Sequence, residues 1–117
     1  MPSKTEKGKL GEEIAKKFLE DQGYKILEMN WRFDHKEIDI IALKDEEVVF
    51  VEVKSRKNTN FGRPEEAVDD KKQNFLIEAA EAYLENNEIN LNARFDVISI
   101  INNSQIKHFP YAFYPSF

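Results

Sequence analysis

Residues 37–54 read Glu-Ile-Asp-Ile-Ile-Ala-Leu-Lys-Asp-Glu-Glu-Val-Val-Phe-Val-Glu-Val-Lys and predict two strands joined by a tight polar turn. Apolar side chains occupy both alternating faces, a pattern typical of strands that are covered on both sides. The two-residue polar turn at 45–46 predicts an antiparallel hairpin. Three ionisable residues, Asp39, Glu52 and Lys54, lie inside these strands. Such charges cost free energy unless they are paired or bind a metal ion.

The segments on either side of the hairpin predict an α/β fold. The predicted order is one helix, three strands, a second helix and two strands, and the strands carry apolar residues on both faces. This pattern indicates a single domain with a mixed β-sheet of about five strands and helices on both faces. In the first hairpin strand, strict alternation places Ile38 and Ile40 on one face and Asp39 on the other. The predicted elements are helices over 5–21 and 64–86 and strands over 24–29, 37–43, 47–54, 94–101 and 105–109, with polar connections at 30–35, 55–63, 87–92 and 102–104 and an aromatic tail at 110–117.

The composition predicts one folded domain. The chain has 117 residues, of which 41% are hydrophobic, so a single packed core is expected rather than disorder. It contains no cysteine, which excludes disulfides, thiolate metal sites and cysteine nucleophiles. The polar N-terminal segment lacks the apolar core of a signal peptide, and no apolar run approaches the ~20 residues of a membrane span. We therefore expect a cytoplasmic protein without a membrane partner.

The charge of the chain is unevenly distributed. A net charge of −5 argues against a surface that is nucleic-acid-binding throughout. Four basic residues nevertheless cluster at and after the second hairpin strand: Lys54, Arg56, Lys57 and Arg63. This cluster is either a basic rim beside an acidic pocket or an ordinary solvated surface, and the charge pattern alone leaves both open.

The two strand carboxylates, Asp39 and Glu52, predict a site for Mg²⁺ or Mn²⁺. On paired neighbouring strands they can converge at one end of the sheet, and hard divalent cations prefer carboxylate, carbonyl and water oxygens. The backbone carbonyl of Val53 would complete the protein ligands. Lys54 follows on the same strand face as Glu52 and can stabilise negative charge that develops on a phosphate. The alternative is that both acids pair with basic side chains and that Lys54 extends its ammonium group into solvent.

Two helical residues are candidates for the same site. Glu12 borders the apolar face of the first helix and can add a third carboxylate; its alternative is an exposed glutamate favoured by the helix dipole. Lys72 lies on the apolar stripe of the second helix and can reach an anion, or it buries only its aliphatic stem at the edge of the core. Gln73 is a weaker companion. Asp96 is interpreted as a partner of Arg94 or a structural acid.

Several motifs, in their order along the chain, resemble a known family. An acid on one strand followed by (Asp/Glu)-x-Lys on the next is the pattern of restriction-endonuclease-like nucleases, which Asp39 and residues 52–54 match. Ile38 departs from that pattern, in which a proline often precedes the first acid. Most of the chain is similar to the YraN-like family of small uncharacterised bacterial proteins. The matching segments are Gly8-x-x-Gly-Glu-x-x-Ala15 and residues 37–41, 49–56, 61–62, 67–68, 72–73 and 94–97.

This resemblance implies a restriction-endonuclease-like core similar to archaeal Holliday junction resolvases. It implies metal ligands at Glu12, Asp39 and Glu52, with Lys54 in the position of the catalytic lysine. The expected activity is Mg²⁺-dependent hydrolysis of phosphodiester bonds in DNA, with branched, recombination or repair intermediates as substrates. The residues expected to contact nucleic acid are Arg56, Lys57, Arg63, Lys72 and Gln73.

Two further expectations accompany this hypothesis. A homodimer is expected by analogy with the resolvases. The alternative function is a catalytically inactive module of the same fold that binds nucleic acid or a protein partner, which the acidic net charge and the aromatic tail favour.

Overall fold

The computed structural model describes residues 6–57 and 68–114, which form a five-stranded sheet and two helices. The strands lie in sequence order across the sheet; β3 and β4 are parallel and all other neighbours are antiparallel. The predicted α/β architecture with a mixed sheet is thereby confirmed. The elements are α1 (Glu6–Asp21), β1 (Lys25–Phe33), β2 (Lys36–Lys44), β3 (Glu47–Arg56), α2 (Asp70–Asn86), β4 (Asn92–Ile101) and β5 (Gln105–Phe113).

The two helices cover opposite faces of the sheet, as the apolar pattern predicts. Ala15 and Leu19 of α1 pack in one buried cluster, here called the α1 face. Leu76 and Tyr83 of α2 pack in the other, called the α2 face, which also contains Phe50. Burying a large apolar side chain stabilises the fold by about 1.5–3 kcal/mol. These two clusters therefore hold both helices against the sheet.

The turn between β2 and β3 has the expected hairpin geometry. Asp45 and Glu46 both have left-handed backbone angles, with φ of 48° and 67°. Two consecutive residues of this kind form the turn whose twist matches that of paired strands. The β2–β3 ladder then runs from Lys44–Glu47 to Ile40–Val51 and fixes the register of the hairpin.

The predicted polar connection at residues 30–35 is wrong, because β1 continues to Phe33. Trp31 and Phe33 pack against the α2 face, and this burial outweighs the polar character of Arg32 between them. Asn30 enters the strand with a left-handed φ of 53°, which asparagine tolerates better than most residues. Only residues 34 and 35 connect β1 to β2.

The predicted alternation of β2 is also wrong at one position. Ile38 belongs to the α2 face, whereas Ile40 belongs to the α1 face, although only Asp39 lies between them. The neighbouring strand changes in the same place: Trp31 packs on the α2 face and Met29 on the α1 face. Both strands therefore interrupt their alternation together, and the interruption in β2 falls at Asp39.

Two other strands are longer than predicted. Ser55 and Arg56 continue β3 and pair with Ile100 and Ile101 of β4, so the predicted loop at 55–63 does not include them. Edge strand β5 extends to Phe113, which is buried on the α2 face and stacks on Phe95 with ring centroids 5.0 Å apart. Burial of Phe113 explains why the strand includes much of the predicted aromatic tail.

Helix α2 begins later than predicted. Its first residue is Asp70, and the side chain of the N-cap residue Asp69 accepts a hydrogen bond from the Lys72 backbone N–H at 2.8 Å. This cap satisfies one of the donors left free at a helix start. Val68, predicted to be helical, precedes the cap, and Pro64 lies outside the described residues. No described helix is long and apolar enough to span a membrane.

Candidate active site

The end of the β2–β3 ladder brings the two predicted carboxylates together. The last pair of the ladder is Ile40–Val51, so Asp39 and Glu52 occupy the next positions on the two strands. Both are buried, with exposures of 4% and 5%. The Val53 backbone N–H donates a hydrogen bond to Asp39 Oδ2 at 2.8 Å. The sequence prediction that these acids converge is consistent with this arrangement.

Glu52 is contacted by two lysines from different elements. Its strand position alternates with Phe50, which directs it to the α2 face. Lys54 Nζ lies 3.4 Å from Glu52 Oε2, and Lys72 Nζ lies 3.6 Å from Glu52 Oε1. Both lysines therefore reach the carboxylate, and neither matches the alternative of a lysine that extends only into solvent or buries only its stem.

The positive charge around Glu52 does not fully offset the effects that disfavour its ionised form. Burial raises the pKa of Glu52 above its ordinary value, and the charge of Asp39 raises it further. Lys72 and Lys54 oppose this rise without cancelling it. Glu52 Oε1 is buried and accepts no hydrogen bond from any described residue. An additional cation at this oxygen would offset both the burial and the repulsion between the acids.

Glu12 is buried on α1 and interacts with β1. It is 4% exposed, and the Asn30 side-chain amide donates a hydrogen bond to Glu12 Oε1 at 2.9 Å. Its alternative, an exposed helix-terminal glutamate, is therefore wrong. Within residues 6–57 and 68–114, no three His, Cys, Asp or Glu side chains form a group that could hold a metal ion. Direct metal ligation by Glu12 stays a prediction.

A close helix–strand contact seats the start of α1 beside the site. A Cβ atom built on Gly11 would lie only 2.3 Å from the Ser55 side-chain oxygen and 4.0 Å from Val53 Cγ1. Only a residue without a side chain fits this approach with Ser55 as it stands. Gly11 therefore lets α1 lie against β3 at Val53 and Ser55, and Glu12 follows directly in the helix.

The predicted nucleic-acid contacts have varied surroundings. Lys57 is exposed, Arg56 is half-buried at the end of β3, and its carbonyl accepts a hydrogen bond from Asn102 N–H at 2.8 Å. Gln73 donates its side-chain amide to the Val68 carbonyl at 2.8 Å. Arg63 lies outside the described residues. Nucleic-acid binding by these residues stays a prediction.

A second polar network surrounds Asp96 in β4. Arg94 donates to both carboxylate oxygens of Asp96, at 3.0 and 2.8 Å, which confirms the predicted pairing. His108 Nε2 lies 2.7 Å from Asp96 Oδ2, and the Tyr111 backbone N–H donates to Oδ1. Burial raises the pKa of Asp96, but the hydrogen bonds of His108 and Arg94 and the charge of Arg94 together bring it below its ordinary value. Asp96 therefore joins its own strand, through Arg94, to His108 and Tyr111 of β5.

Sequence analysis did not identify Asn30 and Ser55. Asn30 lies between apolar Met29 and Trp31, and its polar side chain between two apolar residues is the one sequence signal that could have identified it. Ser55 follows the charged strand segment, and nothing in its sequence context distinguishes it from the start of a polar loop. Asn30 contacts Glu12, and Ser55 contacts Gly11, only because of the way α1 packs on the sheet. The residue pattern of a single strand does not predict that packing.

Known proteins resemble this chain over nearly its whole length. A family model described as "Uncharacterised protein family UPF0102" matches residues 11–100. A UPF0102 protein of Bacteroides thetaiotaomicron is 47% identical over 118 residues, covering 98% of each chain. Another, from Flavobacterium psychrophilum, is 41% identical over 117 residues and covers 97% of this chain and 98% of that protein. These matches confirm the YraN-like resemblance: the chain belongs to the UPF0102 family.

Proposed function

We propose that this protein is a metal-dependent nuclease that hydrolyses phosphodiester bonds of DNA. The observation that carries the proposal is the pair of buried acids, Asp39 and Glu52, at the end of the β2–β3 ladder, with Lys54 and Lys72 on Glu52. Buried like charges destabilise a fold unless a cation compensates them. A site that keeps both acids and adds two lysines suits a reaction in which a cation and a phosphate are bound together.

The residues present fit a divalent cation. Asp39 and Glu52, with the Val53 carbonyl, would hold Mg²⁺ or Mn²⁺, because these ions prefer oxygen ligands and retain several waters. The buried Glu52 Oε1, which lacks a hydrogen-bond donor among the described residues, supports this fit. When bound, the ion would act as a Lewis acid that neutralises charge on the scissile phosphate. Glu12 would contribute from the α1 side.

The two lysines would act on the phosphate. Lys54 and Lys72 approach Glu52 from β3 and α2, and both side chains are partly exposed, so each can also face a substrate. Lys54 would assist the attack of water on phosphorus and stabilise the negative charge that grows there. Lys72 would bind a neighbouring phosphate oxygen. The distances from the two lysines to Glu52 exceed those of strong charge-assisted hydrogen bonds. Either lysine can therefore leave Glu52 and bind a phosphate at little cost in free energy.

The proposed substrate is branched DNA, such as a recombination or repair intermediate. Arg56, Lys57 and Arg63, which follow the catalytic strand in sequence, would contact backbone phosphates with Lys72 and Gln73. Four cationic contacts predict a slope of about −3 to −4 for the logarithm of affinity against the logarithm of salt concentration. A homodimer, as in the resolvases, and a cytoplasmic location belong to this proposal.

The test is cleavage of Holliday-junction, flapped and linear DNA by wild type and two lysine variants. Lys54→Ala is expected to reduce the rate by about 100-fold or more, the usual effect of losing one donor to a developing oxyanion. Lys71→Ala is the control for loss of one positive charge, because Lys71 is an exposed lysine of α2 without a proposed role. Cleavage by Lys54→Ala at the wild-type rate would rule out the proposed role of this lysine.

A binding module without catalysis is the second candidate. Tyr111 and Tyr114 are 45% and 68% exposed, and their rings stack with centroids 6.3 Å apart. They line a pocket of about 320 Å³ with Glu47 and Arg94, away from the acid pair. Exposed aromatic side chains suit a protein partner or an unpaired base. Binding that needs no metal and is lost in Tyr114→Ala, without cleavage by wild type, would favour this function.

A further inference from the structure

A transverse row of polar residues crosses three strands at the candidate site. Asn30 of β1 is flanked by the pairs Met29–Ile40 and Trp31–Ile38, so it stands across from Asp39 of β2. Asp39 in turn occupies the position next to the last β2–β3 pair, across from Glu52. The row therefore reads Asn30, Asp39, Glu52 from the sheet edge inward.

The backbone is irregular along this row. Asn30 has a left-handed φ of 53°, and the residues on either side of it, Met29 and Trp31, pack on opposite faces of the sheet. In a regular strand these two would share a face. A non-glycine residue with this conformation inside a strand is uncommon and is retained where the surroundings require it.

The side chain of Asn30 links this row to α1. Its Nδ2–H donates to Glu12 Oε1 at 2.9 Å, and Glu12 is buried. A hydrogen bond to an ionised carboxylate is stronger than one between neutral groups and fixes its orientation. The close approach of Gly11 to Ser55 seats the same helix turn on β3. Glu12 is thus fixed from β1 through Asn30 and from β3 through its neighbour in the helix.

We propose that Asn30 is a positioning residue, which holds the Glu12 carboxylate at the row that carries Asp39 and Glu52. The inference rests on the proposed function, because it places the held carboxylate beside the cation site of Asp39 and Glu52. Glu12 is not placed among the direct ligands, since no three such side chains within residues 6–57 and 68–114 form one metal-binding group. Asn30 does not touch the substrate in this account. It acts on the site only through Glu12, in the way that outer hydrogen-bond partners orient the groups around a metal ion.

Substitution by glycine separates the side chain from the backbone. Asn30→Gly removes the amide donor and keeps the left-handed backbone accessible. Asn103→Gly is the matched control, because Asn103 has a similar φ of 57° and is exposed in the β4–β5 turn. Asn30→Asp is a second variant that tolerates the same backbone but presents a carboxylate, which cannot donate to Glu12 at neutral pH.

Two readouts are measured on the folded proteins, neither of which is cleavage. The first is Mn²⁺ affinity by calorimetry, which we expect to fall about 10–100-fold in Asn30→Gly and in Asn30→Asp, the usual loss for an outer-shell partner. Asn103→Gly is expected to match wild type. The second is the NMR resonance of the Asn30 side-chain amide, assigned by its absence in Asn30→Gly. We expect this resonance to shift in Glu12→Gln and on addition of Mg²⁺.

The outcomes separate this inference from the proposed function. Wild-type Mn²⁺ affinity in both Asn30 variants overturns the positioning role and leaves the metal site standing. An Asn30 amide resonance that ignores Glu12→Gln also overturns it, because the contact is then missing in solution. Wild type that binds no Mn²⁺ overturns the proposed function and the role of Asn30 with it. A variant that loses stability but keeps Mn²⁺ affinity identifies Asn30 as purely structural and counts against the inference.

Discussion

The Val53 backbone N–H donates a 2.8 Å hydrogen bond to Asp39 Oδ2, where the pairing of β2 and β3 ends. The acid of one strand is therefore tied to the backbone next to the acid of the other, Glu52. Two carboxylates in this position repel each other, and this hydrogen bond opposes their separation. The hydrogen bond therefore keeps the two carboxylates close together, as the proposed cation site requires.

Glu52 is expected to make the fold less stable as pH rises. Burial and the charge of Asp39 raise the pKa of Glu52 from its model-peptide value of 4.5, so the folded state binds the proton more tightly than the unfolded chain. The contribution of Glu52 to the free energy of unfolding therefore falls as pH rises from about 4.5 through the higher pKa of the folded state. Urea unfolding of wild type and Glu52→Gln from pH 4.5 to 8 measures this difference.

The control for that comparison is Glu13→Gln, because Glu13 is exposed on α1. Wild type should lose stability relative to Glu52→Gln with increasing pH, whereas its difference from Glu13→Gln should stay nearly constant. A Glu52→Gln difference that is flat, or that grows in favour of wild type, would contradict the assigned environment of Glu52.

Asp96 is expected to be a structural acid. Asp96→Asn removes the nearer of two charged partners of the buried Arg94 guanidinium and leaves only Glu47, at 3.5 Å. Removing one member of a buried pair typically costs about 3–5 kcal/mol. Because the pKa of Asp96 lies below 3.8 in the folded state, the stability it provides is present above that value and is lost as pH falls through the folded pKa. Chemical unfolding of wild type and Asp96→Asn at pH 7 measures the loss.

Asp45→Asn provides the comparison for Asp96. Asp45 is exposed in the β2–β3 turn with a φ of 48°, which asparagine also accepts. It is expected to change the free energy of unfolding by less than about 0.5 kcal/mol. Equal effects of the two substitutions would show that the Asp96 network does not stabilise the protein as described.

Gly11 and Ser55 are expected to be energetically coupled. An alanine at position 11 would place its Cβ 2.3 Å from Ser55 Oγ, so the serine side chain must move. In a Ser55→Ala background that atom is absent, and the better helix propensity of alanine can stabilise α1 by up to about 1 kcal/mol. A double-mutant cycle of unfolding free energies should give a coupling of at least about 0.5 kcal/mol. Strict additivity would mean that the two residues do not meet.

The hairpin and its acids could be predicted because their signals are local. Alternating apolar residues and the turn at 45–46 define β2 and β3, and strand alternation places Glu52 and Lys54 on one face. Lys72 could be nominated from its place on a helical stripe. The hairpin then brings Asp39 next to Glu52 with no information from distant parts of the chain.

The rest of the site depends on tertiary packing. The extension of β1 is stabilised by burial of Trp31 and Phe33 against the α2 face, which no local pattern of polarity contains. The left-handed backbone of Asn30 breaks the alternation on which the prediction of Ile38 relied. The start of α2 is set by one capping side chain, Asp69, at a position where apolar periodicity continues. The first two features require contacts between elements that are distant in sequence, whereas the cap is a local contact with the Lys72 backbone.

Calorimetric titration of Mn²⁺ into wild type, Asp39→Asn and the turn control Asp45→Asn tests the central claim, that Asp39 and Glu52 form a metal site, without any choice of substrate. We expect wild type and Asp45→Asn to bind the ion with equal affinity and Asp39→Asn to lose at least about tenfold, which corresponds to about 1.4 kcal/mol. Mn²⁺ binding that is absent from wild type, or that survives unchanged in Asp39→Asn, would contradict the account.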